Sequence, residues 1–264
     1  MIELLGRSGT PSSSGFCYFI YHGFLIHLWA ATSQVWSVRL CVNAKGVLMT
    51  LEYKMSRVTI SGSEWTLQQF ANRDQFPTLL EQGHIGDRVW GADVPESLWP
   101  LSGILWPSGI LLAELVATKK CDGLRILEIG CGVALASLVL KRRGCDVTAS
   151  DYNPFAGELL RENARLNDLE SPKFMKLSWQ EAFTGEPFDL IIGSDVLYEP
   201  GCASEVCEFL KSALKPSGNA LFVDPGRAHV RKFETTLQAA GFSCDVVWPV
   251  PGEKTRILRI SKVA

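Results

Sequence analysis

The run Arg125-Ile126-Leu127-Glu128-Ile129-Gly130-Cys131-Gly132 decides how the chain folds. Ile126, Leu127 and Ile129 make a short apolar stretch, the pattern of a strand buried on both faces. Gly130 and Gly132 follow at once. Glycine adopts the backbone angles of a sharp strand-to-helix bend and lets a ligand approach the main chain closely. Glu128 lies inside the apolar stretch, where an unpaired carboxylate is costly, so it must serve something polar. The glycine pattern is GxG followed by Val133-Ala134-Leu135-Ala136-Ser137, not GxGxxG. A dinucleotide pyrophosphate is therefore a poor fit.

Working outward, strands and helices alternate. Residues 133–144 read as a helix, with Lys141, Arg142 and Arg143 in its last turn and Gly144 as its stop. Residues 146–151 are the next strand. Asn153 caps the following helix and Pro154 takes its first position, and that helix runs to about Asn167. Strands follow at 173–178, 188–195 and 219–224, helices at 204–215 and 229–241. Upstream, 108–118 reads as a helix with Ser108 as N-cap. Residues 244–250 and 255–260 are two last strands joined by Pro251-Gly252-Glu253-Lys254, a hairpin expected to add an antiparallel edge. The predicted fold class is α/β: a Rossmann-like, seven-stranded, mostly parallel sheet with an antiparallel C-terminal hairpin. Its expected span is 55–264, starting with a short strand at 57–62.

Residues 1–54 are expected to be an N-terminal extension outside the core fold. Within them, residues 16–32 form a mostly apolar run of 17 residues. A spanning helix needs roughly 20. Three readings stay open: a marginal anchor or signal, an ordered extra hairpin, or a segment that is not part of the working chain, which would then begin near Met55. Residues 62–100, with Trp65, Phe70, Trp90 and Trp99, are expected to form a lid.

Charge and cysteine usage exclude several classes. With 26 basic and 28 acidic residues the net charge is -2, so bulk electrostatics gives no attraction to nucleic acid or an acidic membrane. The eight cysteines contain no CxxC pair, and the four histidines offer no zinc-ligand spacing. The expectation is a monomeric, cytoplasmic protein with no metal and no disulfides.

Asp151 ends the second strand, 19 residues after Gly132. An acidic residue about 20 positions after such a loop takes ribose hydroxyls, and a carboxylate can accept two at once. The alternative is a turn cap. Asp195 ends the apolar strand 188–195, with Tyr198 three residues on, at the rim where open α/β sheets bind ligands. The alternative is that Asp195 caps the next turn and Tyr198 fills a gap. Trp179 follows the third strand and offers a flat wall to a purine, or packs an edge. Asp224-Pro225-Gly226-Arg227 ends the fifth strand and borders the same cleft. Arg227 could bind an acidic group on a substrate, or pair with Asp224 in a turn.

The loop Glu128–Gly132, Asp151, and Asp195-Val196-Leu197-Tyr198 resemble the class I S-adenosylmethionine-dependent methyltransferases. More narrowly, they are similar to the methyltransferase-16 family, which contains many protein-lysine methyltransferases. The resemblance covers roughly residues 99–262. It extends to Trp106-Pro107-Ser108-Gly109 and to Asp224–Arg227, the latter shared with methylases of the electron transfer flavoprotein beta subunit. It implies S-adenosylmethionine as cofactor. Trp106 would pack near it, and Gly130 and Gly132 would contact its methionine part, with Glu128 and Cys131 of the same loop. Asp151, with Tyr152 beside it, would hold the ribose. Trp179 would cover the adenine, and Ser194 would lie beneath. The acidic residue this family often carries next to the tryptophan is missing, the neighbours being Ser178 and Gln180. Asp195 and Tyr198 would be catalytic, and Asp224 and Arg227 would bind substrate.

Methyl transfer to nitrogen needs an in-line approach, a neutral amine and a desolvated pocket. A lysine amine, with a pKa of about 10.4, must lose a proton first. Asn-Pro-Pro-Tyr in place of Asp195–Tyr198 would have suggested adenine or glutamine amide substrates. The implied function is methylation of a protein lysine. The alternatives are a small, nicotinamide-like amine as substrate, or a non-catalytic cofactor-binding protein.

Overall fold

A computed structural model describes residues 16–21, 24–30, 35–42, 47–71, 101–249 and 251–263. The apolar run near the N-terminus forms β1 (Phe16–Tyr21) and β2 (Phe24–Ala30), paired antiparallel. β3 (Val35–Val42), β4 (Val47–Ile60) and β5 (Ser63–Phe70) complete a five-stranded meander in chain order. Among the described residues no helix is long and apolar enough to cross a membrane. The domain boundary expected at residues 54/55 falls within β4. Residues 72–100, which hold Trp90 and Trp99 of the expected lid, lie outside the described residues. Trp65 and Phe70 do not belong to a lid: both are fully buried on β5.

Ser61 and Gly62 join β4 to β5 with both φ angles positive (46° and 81°), the two-residue turn that matches strand twist. The hairpin docks by replacing a missing strand with side chains. α1 (Pro107–Thr118), β6 (Arg125–Ile129), α2 (Leu135–Arg142), β7 (Asp146–Asp151) and α3 (Pro154–Leu166) follow in the chain. Asn163 of α3 accepts the Gln68 amide at 2.7 Å and donates to the Gln68 carbonyl at 3.2 Å. One turn on, Asn167 accepts from the Thr66 amide at 3.0 Å and donates to its carbonyl at 2.7 Å. The two amides thus imitate a neighbouring strand along the open edge of β5, which satisfies backbone groups that would otherwise be orphaned. Glu114 of α1 accepts the amide and hydroxyl of Ser61, and the Arg142 guanidinium lies 3.6 Å over the Trp65 ring.

β8 (Lys173–Lys176), β9 (Phe188–Ser194), α4 (Cys202–Ala213), β10 (Leu214–Asp224), α5 (Val230–Ala239), β11 (Phe242–Val247) and β12 (Arg256–Lys262) complete the chain. The second sheet has the order β11-β12-β10-β9-β6-β7-β8. Pairing is parallel from β10 to β8, and β12 is antiparallel to both of its neighbours. The expected hairpin forms, but its last strand is inserted inside the sheet, and β11 is the edge. Local turn signals show that two strands pair; they do not show on which side the pair attaches.

Two cores result, because successive side chains of a buried strand point to opposite faces. Ile126, Leu190, Ile192 and Val223 pack with α1, α2, α3 and the hairpin. Leu127, Ile191 and Phe222 pack with α4 and α5. Asn153 caps α3 as expected, accepting the Phe155 amide at 2.9 Å, and Gly144 and Gly241 adopt positive φ after their helices. Ser108 is not the cap of α1: the helix begins at Pro107, and the Ser108 hydroxyl is buried. α2 starts at Leu135 and not at Val133, because Ala134 is left-handed (φ 62°). Cys121 and Cys145 are joined in a disulfide, against the expectation of none. They lie 24 residues apart, and only the packing of the ends of α1 and α2 brings them together.

Fully buried Asn163 also donates to the Val133 carbonyl at 3.1 Å. Asn163→Ala would leave the Gln68 and Val133 groups unsatisfied. It should destabilise the fold by about 2–4 kcal/mol in urea unfolding. A loss under about 0.5 kcal/mol would mean that the Asn163 bonds do not help to dock the hairpin.

Candidate functional site

The chain runs from β6 through β7 to β8 on one side of the sheet, then returns to β9 on the other side of β6. This reversal opens a crevice at the carboxyl ends of β6 and β9, the usual ligand position of such sheets. The glycine turn sits there. Gly130 and Gly132 have φ of 59° and 54°, which favour glycine. A side chain at Gly130 would press on Val196 at 3.2 Å and on the Trp179 ring at 3.5 Å. At Gly132 it would meet the Ser102 carbonyl at 2.7 Å. The close approach at Gly132 is therefore made by the protein's own main chain.

Asp151 locks this turn. It is 5% exposed, and it accepts the Gly132 amide at 3.0 Å and the Asn153 amide at 2.9 Å. Burial pushes its carboxyl up to about 6, opposed by the amides of Asn153, Gly132 and Tyr152. A carboxylate has roughly four acceptor positions, so these three amides leave room for about one more donor. Glu128 serves the start of α2: one of its oxygens accepts the Ser137 amide at 2.9 Å and also the Ser137 hydroxyl. Burial raises it to about 7, against those bonds. Burial also holds the Cys131 thiol well above its ordinary value, so it stays protonated and is a poor nucleophile.

One pocket gathers the residues singled out from the sequence. Trp106, Glu128, Gly130, Cys131, Gly132, Asp151, Tyr152, Trp179, Ser194, Asp195, Tyr198 and Arg227 all line it. Asp224 does not. It is buried behind the rim, where it accepts the amides of Gly226 and Arg227 at 2.7 and 2.8 Å. Trp179, read as an exposed wall, is 9% exposed, because it packs down against the glycine turn. Tyr152 and Tyr198 lie close enough to raise the Tyr198 hydroxyl further, after burial as the main cause.

Of the segment before α1, only Trp106 was legible as part of the site. Leu101, Ser102, Ile104 and Leu105 form one wall. The hairpin fixes them: Phe70 donates to the Gly103 carbonyl at 2.8 Å, and its ring occupies the space a Gly103 side chain would need. The Leu105 amide donates to Gln69 at 3.0 Å, and the Trp106 indole donates to the Leu101 carbonyl at 2.9 Å. The only sequence signal was Gly103 within an apolar stretch.

At the rim, Asp195 has a left-handed backbone (φ 54°), held by its amide on the Val223 carbonyl at 2.9 Å. Such strain in a non-glycine residue collects at functional sites. Its carboxylate neither caps a turn nor stands free. Arg227 grips it in a fork, Nε to Oδ1 and Nη2 to Oδ2, both at 2.7 Å. Arg227 thus pairs with Asp195 through its side chain and with Asp224 only through its amide.

The buried carboxylates set a pH trend. A carboxyl raised on folding leaves the folded state holding more protons between its unfolded and folded pKa values. Stability from Glu128 therefore falls as pH rises from about 4.5 to about 7 and is level above. Urea unfolding should show a steeper fall in the wild type than in Glu128→Gln, which keeps only the shallower slope of Asp151, raised to about 6. Parallel profiles would show that Glu128 is not the titrating group.

The family model described as "Lysine methyltransferase" matches residues 81–235, more than half of the 264-residue chain. The chain is 32% identical over 139 residues to the electron transfer flavoprotein beta subunit lysine methyltransferase of Xenopus laevis, covering 50% of this chain and 56% of that one. It is 32% identical over 116 residues to the histone-arginine methyltransferase METTL23 of the same species, covering 40% and 50%. The chain thus spans about half the length of the curated relatives it matches. In fold it is similar to the T. thermophilus 16S rRNA N2 G1207 methyltransferase (TM-score 0.55, 17% identity), covering 85% of this chain and 54% of that one. With the glycine turn, the strand-end carboxylate and the rim already in place, the match over residues 81–235 settles the family: the chain is a member of the lysine methyltransferase family.

Proposed function

We propose that the chain is an S-adenosylmethionine-dependent N-methyltransferase acting on a lysine side chain of a protein. One observation carries the reading: the glycine turn, Asp151, Trp179 and the rim residues Asp195 and Tyr198 converge on a single strand-end pocket. The pocket's polar inventory fits the cofactor. The hydroxyls of Ser102 and Tyr152 are buried there without a hydrogen-bond partner among the described residues. Buried polar groups of this kind call for a partner, and an adenosyl-methionine carries amino, carboxylate and ribose groups to supply it.

When bound, S-adenosylmethionine supplies a methyl group activated on a sulfonium. The chain's own residues hold and orient. Asp151 accepts a ribose hydroxyl with its remaining position. Trp179 gives the purine an apolar face, and Trp106 and Ser194 close the floor. Asp195 accepts hydrogens of the substrate amine, and Tyr198 packs along its stem. Desolvation at this rim favours the neutral amine that attack requires.

A protein substrate is supported by the outer surface. Trp248 is 54% exposed, one residue from Pro249 in a groove that reaches Asp195. Among the described residues Cys131, Cys202, Cys207 and Cys244 are unpaired, which supports a cytoplasmic location, to which the Cys121–Cys145 bridge is an exception.

Methyl-labelled S-adenosylmethionine in a lysate should place label in protein, recovered as methyl-lysine. Label only in small metabolites, or in another amino acid, would overturn the lysine reading. Asp195→Asn keeps the left-handed backbone, which asparagine tolerates. It should retain affinity for S-adenosylhomocysteine while labelling falls roughly ten- to hundredfold, as expected for a lost charge-assisted contact. Undiminished labelling would mean that the catalytic rim lies elsewhere.

A further inference from the structure

The Arg227–Asp195 pair stands on a boundary. Both residues line the pocket of the glycine turn, and both also line an outer groove with Ser108, Leu111, Pro249 and Glu253. A group arriving along the groove meets this ion pair before it reaches the pocket.

The two partners are unequally free. The Asp195 side chain is 9% exposed, and its backbone is pinned by the Val223 carbonyl. The Arg227 side chain is 41% exposed and sits on a flexible stem at the groove. Its guanidinium occupies both carboxylate oxygens of Asp195. A carboxylate so engaged cannot hold a substrate amine in the same way until the guanidinium leaves. The arrangement also has a use without substrate, since an enclosed carboxylate with no counter-charge is costly.

We propose that Arg227 is an exchangeable counter-ion of Asp195, displaced when the substrate's ammonium group enters from the outer groove. This rests on the reading of Asp195 as the anchor of the amine. A lysine ammonium has three donors and a full charge, so it can replace the fork. A neutral or acidic side chain cannot. The released guanidinium turns into the groove, where Glu253 offers a second carboxylate. Arg227 is thus a specificity-determining residue: it sets the threshold a cation must exceed to reach the cofactor pocket.

The test uses the full chain saturated with S-adenosylhomocysteine and two probes, Nα-acetyl-lysine N-methylamide and its uncharged norleucine twin. Binding is followed by chemical-shift titration for wild type, Arg227→Lys and Arg227→Met. Removing the competitor should tighten the lysine probe about tenfold in Arg227→Met, with Arg227→Lys in between, because an ammonium cannot form the two-point fork. The norleucine probe should not change. Equal or weaker binding of the lysine probe by Arg227→Met overturns the proposal and makes Arg227 a fixed support of Asp195. Should Arg227→Met fail to fold, judged by loss of S-adenosylhomocysteine binding, Arg227→Lys decides alone, and no gain overturns the proposal. A wild-type protein that labels no lysine in lysate defeats the proposed function, while the exchange at Asp195 is still read by the probes.

Discussion

The Asp151 carboxylate accepting the Gly132 amide is the contact on which the site depends. It ties the end of β7 to the turn after β6, across two adjacent parallel strands. The glycines allow that turn, and Asp151 selects it. The carboxylate is nearly enclosed, and burial holds its pKa up at about 6. Three backbone amides offset part of that penalty, so the residue that closes the turn also remains an acceptor facing the pocket. Glu128 repeats the device one strand over, binding the start of α2. Two buried carboxylates therefore position the crevice from below, Glu128 on β6 at the strand-order reversal and Asp151 on its neighbour β7.

The upper wall depends on a different element. Residues 101–106 cover the glycine turn, with the Ser102 carbonyl against Gly132. They are held by Gln69 and Phe70 of β5. β5 is held in turn by Asn163 and Asn167, whose amides act as a substitute strand. A line of polar contacts thus runs from α3 through the hairpin to the pocket wall. The hairpin is a supporting part of the site, although no hairpin residue lines it.

Much of this was legible in the sequence because it is local. Apolar runs followed by glycine, the Asn153-Pro154 start and the Gly144 and Gly241 stops fixed the alternation, and the alternation placed the crevice. The residues chosen from motif position all reached one pocket, except Asp224, which turned inward to cap its own loop. What was missed joins distant parts of the chain. The Arg227–Asp195 fork spans 32 residues and the Asn163–Gln68 pair 95. No local pattern states that a guanidinium will choose one carboxylate over a nearer one. The start of α2 was misjudged for a local reason: a left-handed alanine at 134 has no signature in composition. The side of the sheet on which β12 attaches is likewise a property of packing, not of turn residues.

The central claim is that the Gly130–Gly132 turn and Asp151 form one adenosyl-binding pocket. Calorimetric titration of S-adenosylhomocysteine into wild type and Asp151→Asn tests it directly. The account predicts one site in the wild type and an affinity lower by roughly tenfold or more in the variant, which keeps an acceptor for Gly132 but loses the charge. No binding by the wild type, or equal affinity in the two proteins, would contradict it.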